Sequence, residues 1–556
     1  MAINNPYVPG DPYSYDLKWI VRKIKEHETI LTTLDQKIMD MIIQLLDQHD
    51  PIYWPTAADL IASDMKTPSL AYIEGFYAPG DGGANLYYIT SDYNDVLAAN
   101  FYITLDGANR WAIPIIVGNY VTPLMFGAHA DGSEDASEAI RTALKYDGDV
   151  FFPMNKGEIY VIASTVDVED KTNRQLYSNI TVRQDTLATF GCGYITGTAS
   201  PFFDVKSGGV RFYDLSFRED SGRTLTAIRF NNIEYGDTDG VISGCGFYGF
   251  GKVAEYDGRS LTFVNNLINY CDTVLDMKFT SSGGTVLQDQ RHGNRGHRIS
   301  ENRLHAITTG VKFSGTAISG ALISNNVLDV GGKLFDATGI VDGCEIIDNV
   351  VLNCRSWVSA VVSVSGTLIN SMISGNNISG DATGDSILSR GIVISGEMTD
   401  STISSNSITR LSNDGIQIPA EIDGCIITGN IITGMENTAG DYLAPLRLGT
   451  AGGNVKNTII AGNVLRKGST SVSNWAVRFY NSSTIVSGCK IDNMTIGFTY
   501  AVSSFTEGDD ANSFHFPYGT TTQRATLHQT HQGMLYFNTT TNALESVNSS
   551  NAWYNV

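Results

Sequence analysis

The stretch that decides the fold runs from Ile323 to Leu328 and reads ISNNVL. Its pattern is an apolar residue, two variable residues, an asparagine and further apolar residues. The other copies are FVNNLI at Asn266, ISENRL at Asn302, IIDNVV at Asn349, ISGNNI at Asn376, ISSNSI at Asn406, ITGNII at Asn430 and IAGNVL at Asn463, with looser copies at Cys245 (ISGCGF) and Asn493 (IDNMTI). The copies are 21 to 36 residues apart. Self-similarity at such intervals indicates a repeat architecture and is a stronger guide to the fold than local secondary-structure patterns.

Each repeat unit reads as two short apolar strands joined through a tight bend. Ile, Val, Ser, Thr, Gly and Asn dominate the units, and this composition favours strands and turns over helix. Asparagine suits the bend because it tolerates positive φ. No unit can bury its apolar face alone, so the units must stack, and stacked asparagines can form a hydrogen-bonded ladder. The sequence therefore predicts a mainly β chain built on a right-handed parallel β-helix over residues 126–503.

The composition of the chain argues against two classes of binding partner. The chain has 556 residues, a net charge of −21 and a pI near 4.8, which argues against nucleic acid and anionic membranes as partners. No run of 18 apolar residues is present, so we predict no membrane insertion, and residues 1–16 lack the apolar core of a signal peptide.

The seven cysteines include no CxxC pair, so the sequence predicts neither a disulfide framework nor a zinc site. Small buried thiols inside the solenoid are the expectation. Asp131 and Asp135 lack the spacing of a calcium loop and are expected to open a helix from Ser133 to Lys145. We predict no metal and no cofactor.

The regions outside the repeats differ in pattern. Residues 1–16 are rich in Pro, Tyr and Gly and are predicted to be an attachment peptide. A heptad pattern over 17–50 predicts a coiled-coil helix with a weak preference for three strands, on the seam Leu17, Ile24, Leu31, Ile38 and Leu45. The alternative is an amphipathic helix packed within one chain. Residues 51–125 are expected to be a small mixed α/β linker domain with a helix capped by Thr56, and residues 504–556 a β-rich C-terminal tip.

Several phrases resemble a known family. FGAHADGSEDASEAIRTAL from Phe126, followed by VFFP, resembles the entrance of the pectate-lyase-like β-helix in phage tailspikes and tail appendages. The phrase GFYAPGDGGANLYYI looks like the small domain that often precedes it, and residues 6–27 are similar to virion-attachment starts. The ending, with GTTTQRATL from Gly519 and GMLYFNTTTNALESVNSSNAW from Gly533, looks like a phage tail-fibre ending, although Ala525 and Asn538 replace the more usual proline and aspartate. The resemblance implies the fold but not a reaction, because such β-helices carry lyases, hydrolases, esterases and pure binders.

Ionisable side chains are densest in the early repeats, between Arg211 and His305. Glycoside hydrolysis needs two carboxyl groups about 5–9.5 Å apart. Adjacent turns lie about 4.8 Å apart, so equivalent positions on neighbouring turns could supply this spacing. We predict Asp257 as the first catalytic carboxylate, with Glu219 or Asp289 as its partner.

Glycan-binding residues are predicted next to these acids, at Tyr256, Arg259, Arg291 and His292. Further aromatic candidates for stacking on a sugar are Tyr248, Phe250, Tyr270, Trp357 and Trp475. A β-elimination site is the alternative chemistry, with Arg291 and Arg295 beside His292 or His297. The plain alternative for every group is a solvated surface loop or ordinary packing.

These patterns together predict a homotrimeric tailspike-like virion appendage that acts outside the cell. Residues 1–50 would attach it to phage tail or portal/neck proteins, and the β-helix would bind host cell-surface polysaccharide. The sequence leaves open whether the protein is also a depolymerase, by hydrolysis or by elimination. The alternatives are a free-standing polysaccharide lyase or glycoside hydrolase and a purely structural virion fibre.

Overall fold

The structure is a computed structural model. It describes residues 51–496 apart from 100, 107–108, 117–119, 147–148, 156, 169–174, 179–191, 207–208, 232–239, 259, 279–295, 355–358, 381–389, 436–443, 450–453, 468–474 and 480–483. Of residues 497–556 it describes only the strands 500–502, 506–507, 513–514, 518–519, 535–538, 543–547 and 553–555. The predicted attachment peptide and coiled coil, residues 1–50, lie outside the described residues. No helix within the described ranges has the length and apolarity needed to cross a membrane.

The chain divides into two compact units, Met1–Ile180 with Phe190–Phe202, and Thr181–Thr189 with Phe203–Val556. The described part of the first unit begins with a five-stranded sheet, and its strands lie in the order Ile52–Trp54, Ser69–Ile73, Asn85–Thr90, Trp111–Ile115, Ile103–Thr104. Helix Ala57–Ile61 packs Leu60 into a core with Ile73 and Tyr87, and a second helix spans Tyr93–Ala98. Thr56 caps the first helix as predicted, because its Oγ1 accepts a hydrogen bond from the Asp59 backbone N–H.

The rest of the first unit contains short strands, a 3₁₀ helix at Pro123–Phe126 and one amphipathic helix. The strands are Tyr120–Val121, Asp131–Asp135, Asp149–Phe152, Ile159–Ile162, Val166–Val168, Gln175–Ser178 and Tyr194–Gly197. The helix spans Ser137–Lys145, so the predicted start at Ser133 was wrong. Asp131–Asp135 instead pairs with Ile159–Ile162, and Asp135 Oδ1 accepts hydrogen bonds from the backbone N–H groups of Ser137 and Ala163.

The second unit is a parallel β-helix whose turns have up to four strand positions, named a, b, c and d. Position a holds Arg211–Tyr213, Gly240–Ser243, Leu261–Val264, Arg298–Ser300, Leu322–Ser324, Glu345–Ile347, Met372–Ser374, Thr402–Ser404, Ile426–Thr428 and Ser513–Phe514. Position b holds Ser216–Arg218, Gly246–Tyr248, Leu267–Asn269, Arg303–His305, Val327–Asp329, Val350–Cys354, Asn377–Gly380, Ser407–Leu411 and Ile431–Met435. Strands Ile459–Lys467 and Lys490–Ile496 run through both a and b.

Positions c and d complete each turn and were not separated by the sequence prediction. Position c holds Phe203–Val205, Thr226–Phe230, Lys252–Tyr256, Thr273–Met277, Thr309–Phe313, Lys333–Ala337, Val362–Val364, Ile392–Ile394, Ile416–Ile418, Leu446–Leu448, Trp475–Phe479 and Tyr500–Val502. Position d holds Ala317–Ser319, Ile340–Asp342, Leu368–Ile369, Met398–Thr399, Ile422–Asp423, Asn454–Lys456, Ile485–Ser487 and Thr506–Glu507. At these four positions each strand pairs in parallel with its counterpart on the next turn.

The repeated asparagine lies at the corner between strands a and b and forms the predicted ladder. Asn349 Oδ1 accepts hydrogen bonds from the backbone N–H and the Nδ2 of Asn326, both at 3.0 Å. Asn349 Nδ2 donates to Asn376 Oδ1 at 2.9 Å and to the Ile323 carbonyl at 2.9 Å. The same arrangement links Asn266, Asn302, Asn326, Asn349, Asn376, Asn406, Asn430, Asn463 and Asn493. At the first corner, the Cys245 backbone N–H donates to Asn266 Oδ1, which confirms Cys245 in the asparagine place.

One detail of the corner differs from the prediction. Positive φ belongs to the residue before each asparagine from Asn266 to Asn463, such as Asn325, Asp348 or Gly375, and not to the ladder asparagine itself. The preceding residue turns the chain in the left-handed region, where short polar residues and glycine are favoured. The asparagine is selected instead for an amide that both donates and accepts inside the solenoid.

The corner between strands d and a has a second, more variable row: Ala321, Cys344, Ser371, Ser401, Cys425, Thr458 and Cys489. Cys344 illustrates the hydrogen bonding of this row. The Ala321 backbone N–H donates to Cys344 Sγ, and the Cys344 backbone N–H donates to Ser371 Oγ. All seven cysteines are buried and free, which confirms that they are interior thiols.

Parallel stacking continues past the boundary predicted at residue 503. Thr506–Glu507 pairs with Ile485–Ser487, and Ser513–Phe514 pairs with Lys490–Ile496. After this turn, Tyr518–Gly519, Leu535–Asn538, Ala543–Val547 and Trp553–Asn555 form a four-stranded sheet whose last two pairings are antiparallel. The C-terminal end of the chain is therefore β-rich, as predicted.

Candidate functional site

Glu219, a predicted catalytic carboxylate, is 2% exposed and is occupied by its own loop. Its Oε1 accepts from Ser221 Oγ (2.7 Å), the Thr224 N–H (2.8 Å) and Thr224 Oγ1 (3.2 Å), and its Oε2 accepts from the Leu225 N–H (2.9 Å). A carboxylate with its lone pairs used in this way fixes loop 219–225 and cannot reach a ligand. The arrangement gives Glu219 a structural role and not the predicted catalytic one.

Glu219 and Asp257 also do not occupy equivalent positions of neighbouring turns. Glu219 precedes strand Thr226–Phe230, whereas Asp257 follows strand Lys252–Tyr256, its neighbour at position c. A five-residue strand separates the two ends by roughly 15 Å, at about 3.3 Å per residue. That separation exceeds the range of about 5–9.5 Å found for glycosidase carboxylate pairs. The predicted pairing of Glu219 with Asp257 is therefore wrong.

Tyr256 lies inside the solenoid and not on its surface, so its predicted stacking on a sugar was wrong. It is 1% exposed, its hydroxyl donates to the Ser260 carbonyl at 2.8 Å, and its ring lies 5.2 Å from that of Phe230. His297, one alternative base for elimination, is also buried, and its Nδ1 accepts from the Leu261 N–H. Burial lowers the pKa of His297 to about 3. Asp289, Arg259, Arg291, His292 and Arg295 lie outside the described residues.

Two of the aromatic candidates do reach the surface, at the corner between strands b and c. Tyr248 ends one strand b, and the Tyr270 ring packs edge-on to it at 5.5 Å. His305 ends the strand b two turns after that of Tyr248 and packs edge-on to Tyr270, on the turn between them, at 5.7 Å. Tyr270 is 41% exposed. We call Tyr248, Tyr270 and His305 the aromatic row.

Charged groups border the aromatic row. The Arg223 guanidinium lies 5.7 Å from the centre of the Tyr270 ring and 3.5 Å from Asp272 Oδ1. Asp329 Oδ2 lies 3.6 Å from His305 Nδ1. Arg223 belongs to the loop that Glu219 holds, so the buried carboxylate positions the cation. An exposed ring beside hydrogen-bond donors and acceptors is suited to a ligand that has an apolar face and many hydroxyl groups.

A second cluster follows on the outer face of strand c, and we call it the lysine–carboxylate cluster. Glu255 and Asp276 are register neighbours on adjacent strands. Lys252 Nζ contacts Glu255 Oε1 at 2.5 Å and Asp276 Oδ2 at 2.8 Å, and Lys278 Nζ contacts the same two oxygens at 3.2 and 3.4 Å. Arg229 Nε lies 2.9 Å from Glu255 Oε2. Three cations thus neutralise two carboxylates.

One atom of this cluster has no partner among the described residues. Asp276 Oδ1 is buried and accepts no hydrogen bond there. Buried acceptors are nearly always satisfied by protein, water or ligand. A donor such as a ligand hydroxyl therefore fits at this edge. The structure also brings Asp257 here, since it occupies the same position on its turn as Lys278 on the next, with the Lys278 N–H donating to the Tyr256 carbonyl.

The cluster is a poor source of a general acid. Burial alone would raise the pKa of Glu255, but hydrogen bonds from Lys252, Arg229 and Lys278 outweigh it and lower the pKa from 4.5 to about 2. A carboxyl group in this state stays ionised at neutral pH and has no proton to donate. The geometry supports binding of polar groups here more directly than acid-catalysed cleavage.

This lowered pKa predicts a pH dependence of stability. Glu255 should stabilise the folded state fully above pH 4.5, and the contribution should fade as the pH drops towards 2, because protonation breaks its contacts with the cations. We expect Glu255→Gln to lower the urea midpoint most at pH 5–7 and to converge on wild type near pH 2. Glu345→Gln, at an exposed carboxylate on strand a, is the control. A Glu255→Gln deficit that stays constant from pH 7 to pH 2 would contradict the assignment.

The site residues predicted from the sequence did not include Lys252, Glu255, Asp276 or Lys278. The signal that could have pointed to them is register: Arg229, Glu255, Asp276, Lys312 and Asp336 form one column on successive strands c. The last four of these residues each lie ten residues after the ladder position of their turn, which is Cys245, Asn266, Asn302 and Asn326 in order. No group of three or more His, Cys, Asp or Glu side chains in the described part of the chain could hold a metal ion.

Comparisons with known proteins locate similar folds. No family model and no curated protein sequence matches the chain. The Dettilon tailspike protein is 15% identical with a TM-score of 0.39, over 56% of this chain and 66% of that one. Tailspike protein 2 of an Escherichia coli O157:H7 bacteriophage is 13% identical with a TM-score of 0.40, over 80% of this chain and 52% of that one.

A further similar structure is a tailspike protein from Acinetobacter baumannii bacteriophage Fri1, described as a capsular polysaccharide depolymerase. It is 11% identical with a TM-score of 0.38, over 69% of this chain and 72% of that one. The chain thus spans less than two thirds of the length of the first two tailspikes. Its own strand pairing makes it a parallel β-helix, and phage tailspike proteins are among the solved structures that it resembles.

Proposed function

We propose that the protein is a homotrimeric virion appendage that binds a host cell-surface polysaccharide through the aromatic row and the lysine–carboxylate cluster. The observation that carries this proposal is the exposed Tyr270 ring, flanked by Arg223 and followed along the same turns by Lys252, Glu255 and Asp276. Asp272 borders the ring and Asp276 lies four residues further along strand c, so the two groups are roughly 13 Å apart at about 3.3 Å per residue. A surface of this length suits an extended chain of sugars better than a small compact ligand.

Residues 1–50 supply the other half of the proposal, from sequence alone. Their attachment-like start and heptad pattern support docking to phage tail or portal/neck proteins as a three-stranded bundle. Three copies would present three identical surfaces, and multivalent binding makes weak individual sites effective. This places the protein on the virion, acting outside the cell.

Binding is favoured over cleavage at the described surface because Glu255 stays ionised and Glu219 is sequestered. Asp257 remains the proposed carboxylate if the glycan is cut, with Asp289 as its proposed partner. The Fri1 tailspike is described as a capsular polysaccharide depolymerase. Depolymerase activity for this chain is accordingly a proposal to be separated from binding by experiment.

The test uses the full-length protein on an array of purified bacterial surface polysaccharides. We expect saturable binding to one or a few of them and no binding to double-stranded DNA. Reducing-end release is measured on every polysaccharide bound. Binding without release supports a receptor-binding appendage, and binding with release adds depolymerase activity. Absence of binding to all polysaccharides and to intact host cells would leave the structural-fibre alternative.

A further inference from the structure

The outer faces of strands a and b differ from the charged face of strand c. Strand alternation directs the third residue of a and the first residue of b outwards, on either side of the asparagine corner. Over six successive turns the first column is Ser324, Ile347, Ser374, Ser404, Thr428 and Ala461, and the second is Val327, Val350, Asn377, Ser407, Ile431 and Val464. Neither column contains a charged residue, and the exposed carboxylates nearest to them, Glu345 and Asp348, both belong to the second of the six turns. We call these two columns, with Ile426 and Ile459 beside them, the uncharged face.

Large apolar side chains are exposed on this face. Val327 is 38% exposed, Ile426 38%, Ile431 45% and Ile459 42%. Ile426 and Ile459 are register partners on adjacent strands, so their side chains lie side by side. Exposed apolar area costs about 25 cal/mol per Å² relative to burial, and contiguous patches of it mark interaction surfaces.

The distribution of charge indicates which partner can cover the uncharged face. The chain has a net charge of −21, so copies of it repel one another wherever their charged faces meet. The strand c column from Arg229 to Asp336 carries an ionisable side chain on five successive turns. On the four turns from Met372 to Val464, no charged side chain lies in the two columns, at the asparagine corner or in the row that contains Ile426 and Ile459. One copy can therefore approach another on these turns without desolvating charge.

We propose that the uncharged face packs against a neighbouring copy of this chain, which leaves the strand c face open to ligand. This inference rests on the homotrimer of the proposed function, which the heptads between Leu17 and Leu45 support. It adds the surface on which the β-helices meet. The contact is a flat, largely dry one made by Ile, Val, Ser and Thr side chains.

Thiol labelling of the full-length protein tests the contact, because all seven native cysteines are buried and give a low background. Ile459→Cys and Ile431→Cys place a thiol on the uncharged face. Lys312→Cys, at an exposed position of strand c, is the matched control. We expect a polyethylene-glycol maleimide to label both face variants at least tenfold more slowly than Lys312→Cys. The mass of each variant in solution is measured in parallel, and the second face variant covers a failure of the first to fold.

The outcomes separate the face from the trimer. Slow labelling of a trimer supports the proposal. If both face variants are labelled as fast as Lys312→Cys on a protein of trimeric mass, the contact through the uncharged face is contradicted and the homotrimer is still supported. A monomeric wild-type mass at micromolar concentration overturns both. Slow labelling of a monomer also overturns the proposal, because the chain would then cover its own face.

Discussion

Asn349→Ala is expected to lower the free energy of unfolding by about 3–5 kcal/mol, since each buried hydrogen-bonding group left without a partner costs about 1–3 kcal/mol. The change removes an acceptor of two hydrogen bonds from Asn326 and a donor to Asn376 and to the Ile323 carbonyl. Asn349 is fully buried, so water cannot replace them without opening the corner.

Asn430→Ala should behave in the same way, because Asn430 makes the same bonds to Asn406 and Asn463. Asn231→Ala is the matched control. It removes the same side chain from an exposed position outside the ladder and outside the uncharged face, and we expect a change within about 0.5 kcal/mol. The measurement is the urea midpoint and the melting temperature of the full-length variants. Equal stability of Asn349→Ala and Asn231→Ala would show that the ladder contributes nothing to the fold.

The second corner explains why the asparagines are the stronger signal. Its row contains Ala321, so one turn lacks a side-chain acceptor there and still stacks. Ser371 in the same row donates to the Ile369 carbonyl within its own corner. The side chains of this row also accept hydrogen bonds from the backbone of the neighbouring turn. The asparagine amide makes one bond more, because its Nδ2 also donates to the side chain of the next asparagine. Because of this difference, the a–b corner keeps asparagine in nearly every repeat and can be recognised in the sequence. The d–a corner accepts Ala, Cys, Ser or Thr and gives a weaker pattern.

The site could be predicted far less well than the fold. In each full copy of the pattern, apolar residues stand three before and two after the asparagine, as Ile323 and Leu328 do around Asn326. Strands a and b can therefore be predicted from the sequence. Strand c keeps a fixed spacing as well in the charged turns, since Glu255 and Asp276 each lie ten residues after the ladder position of their turn. Their adjacency could therefore have been counted along the chain. The separation of Glu219 from Asp257 could not, because the loop before strand Thr226–Phe230 is longer than the loops that follow the next strands b. The burial of Glu219 could not be predicted either. In the sequence, a carboxylate that binds its own loop cannot be distinguished from a polar surface residue.

Tyr270→Ala is the substitution expected to weaken polysaccharide binding most. Loss of a central aromatic contact costs about 2 kcal/mol, which is roughly a 30-fold increase in Kd. The backbone can accept alanine, because Ala306 occupies the equivalent corner of the next turn with φ 52, close to the 55 of Tyr270. A change in binding would therefore report the lost ring and not a lost fold. A monovalent oligosaccharide is the proper ligand, since avidity on a polymer would mask the effect.

Two further variants decide what the ring contributes. Tyr270→Phe keeps the stacking face and should bind within about threefold of wild type if the ring is the main contact. Tyr102→Ala removes an exposed tyrosine outside the aromatic row and should leave Kd unchanged. Arg223→Ala should weaken binding less than Tyr270→Ala, because exposed cation–π and ion pairs contribute about 1 kcal/mol or less. If Tyr270→Ala binds as tightly as Tyr102→Ala while both remain folded, the glycan does not use the aromatic row.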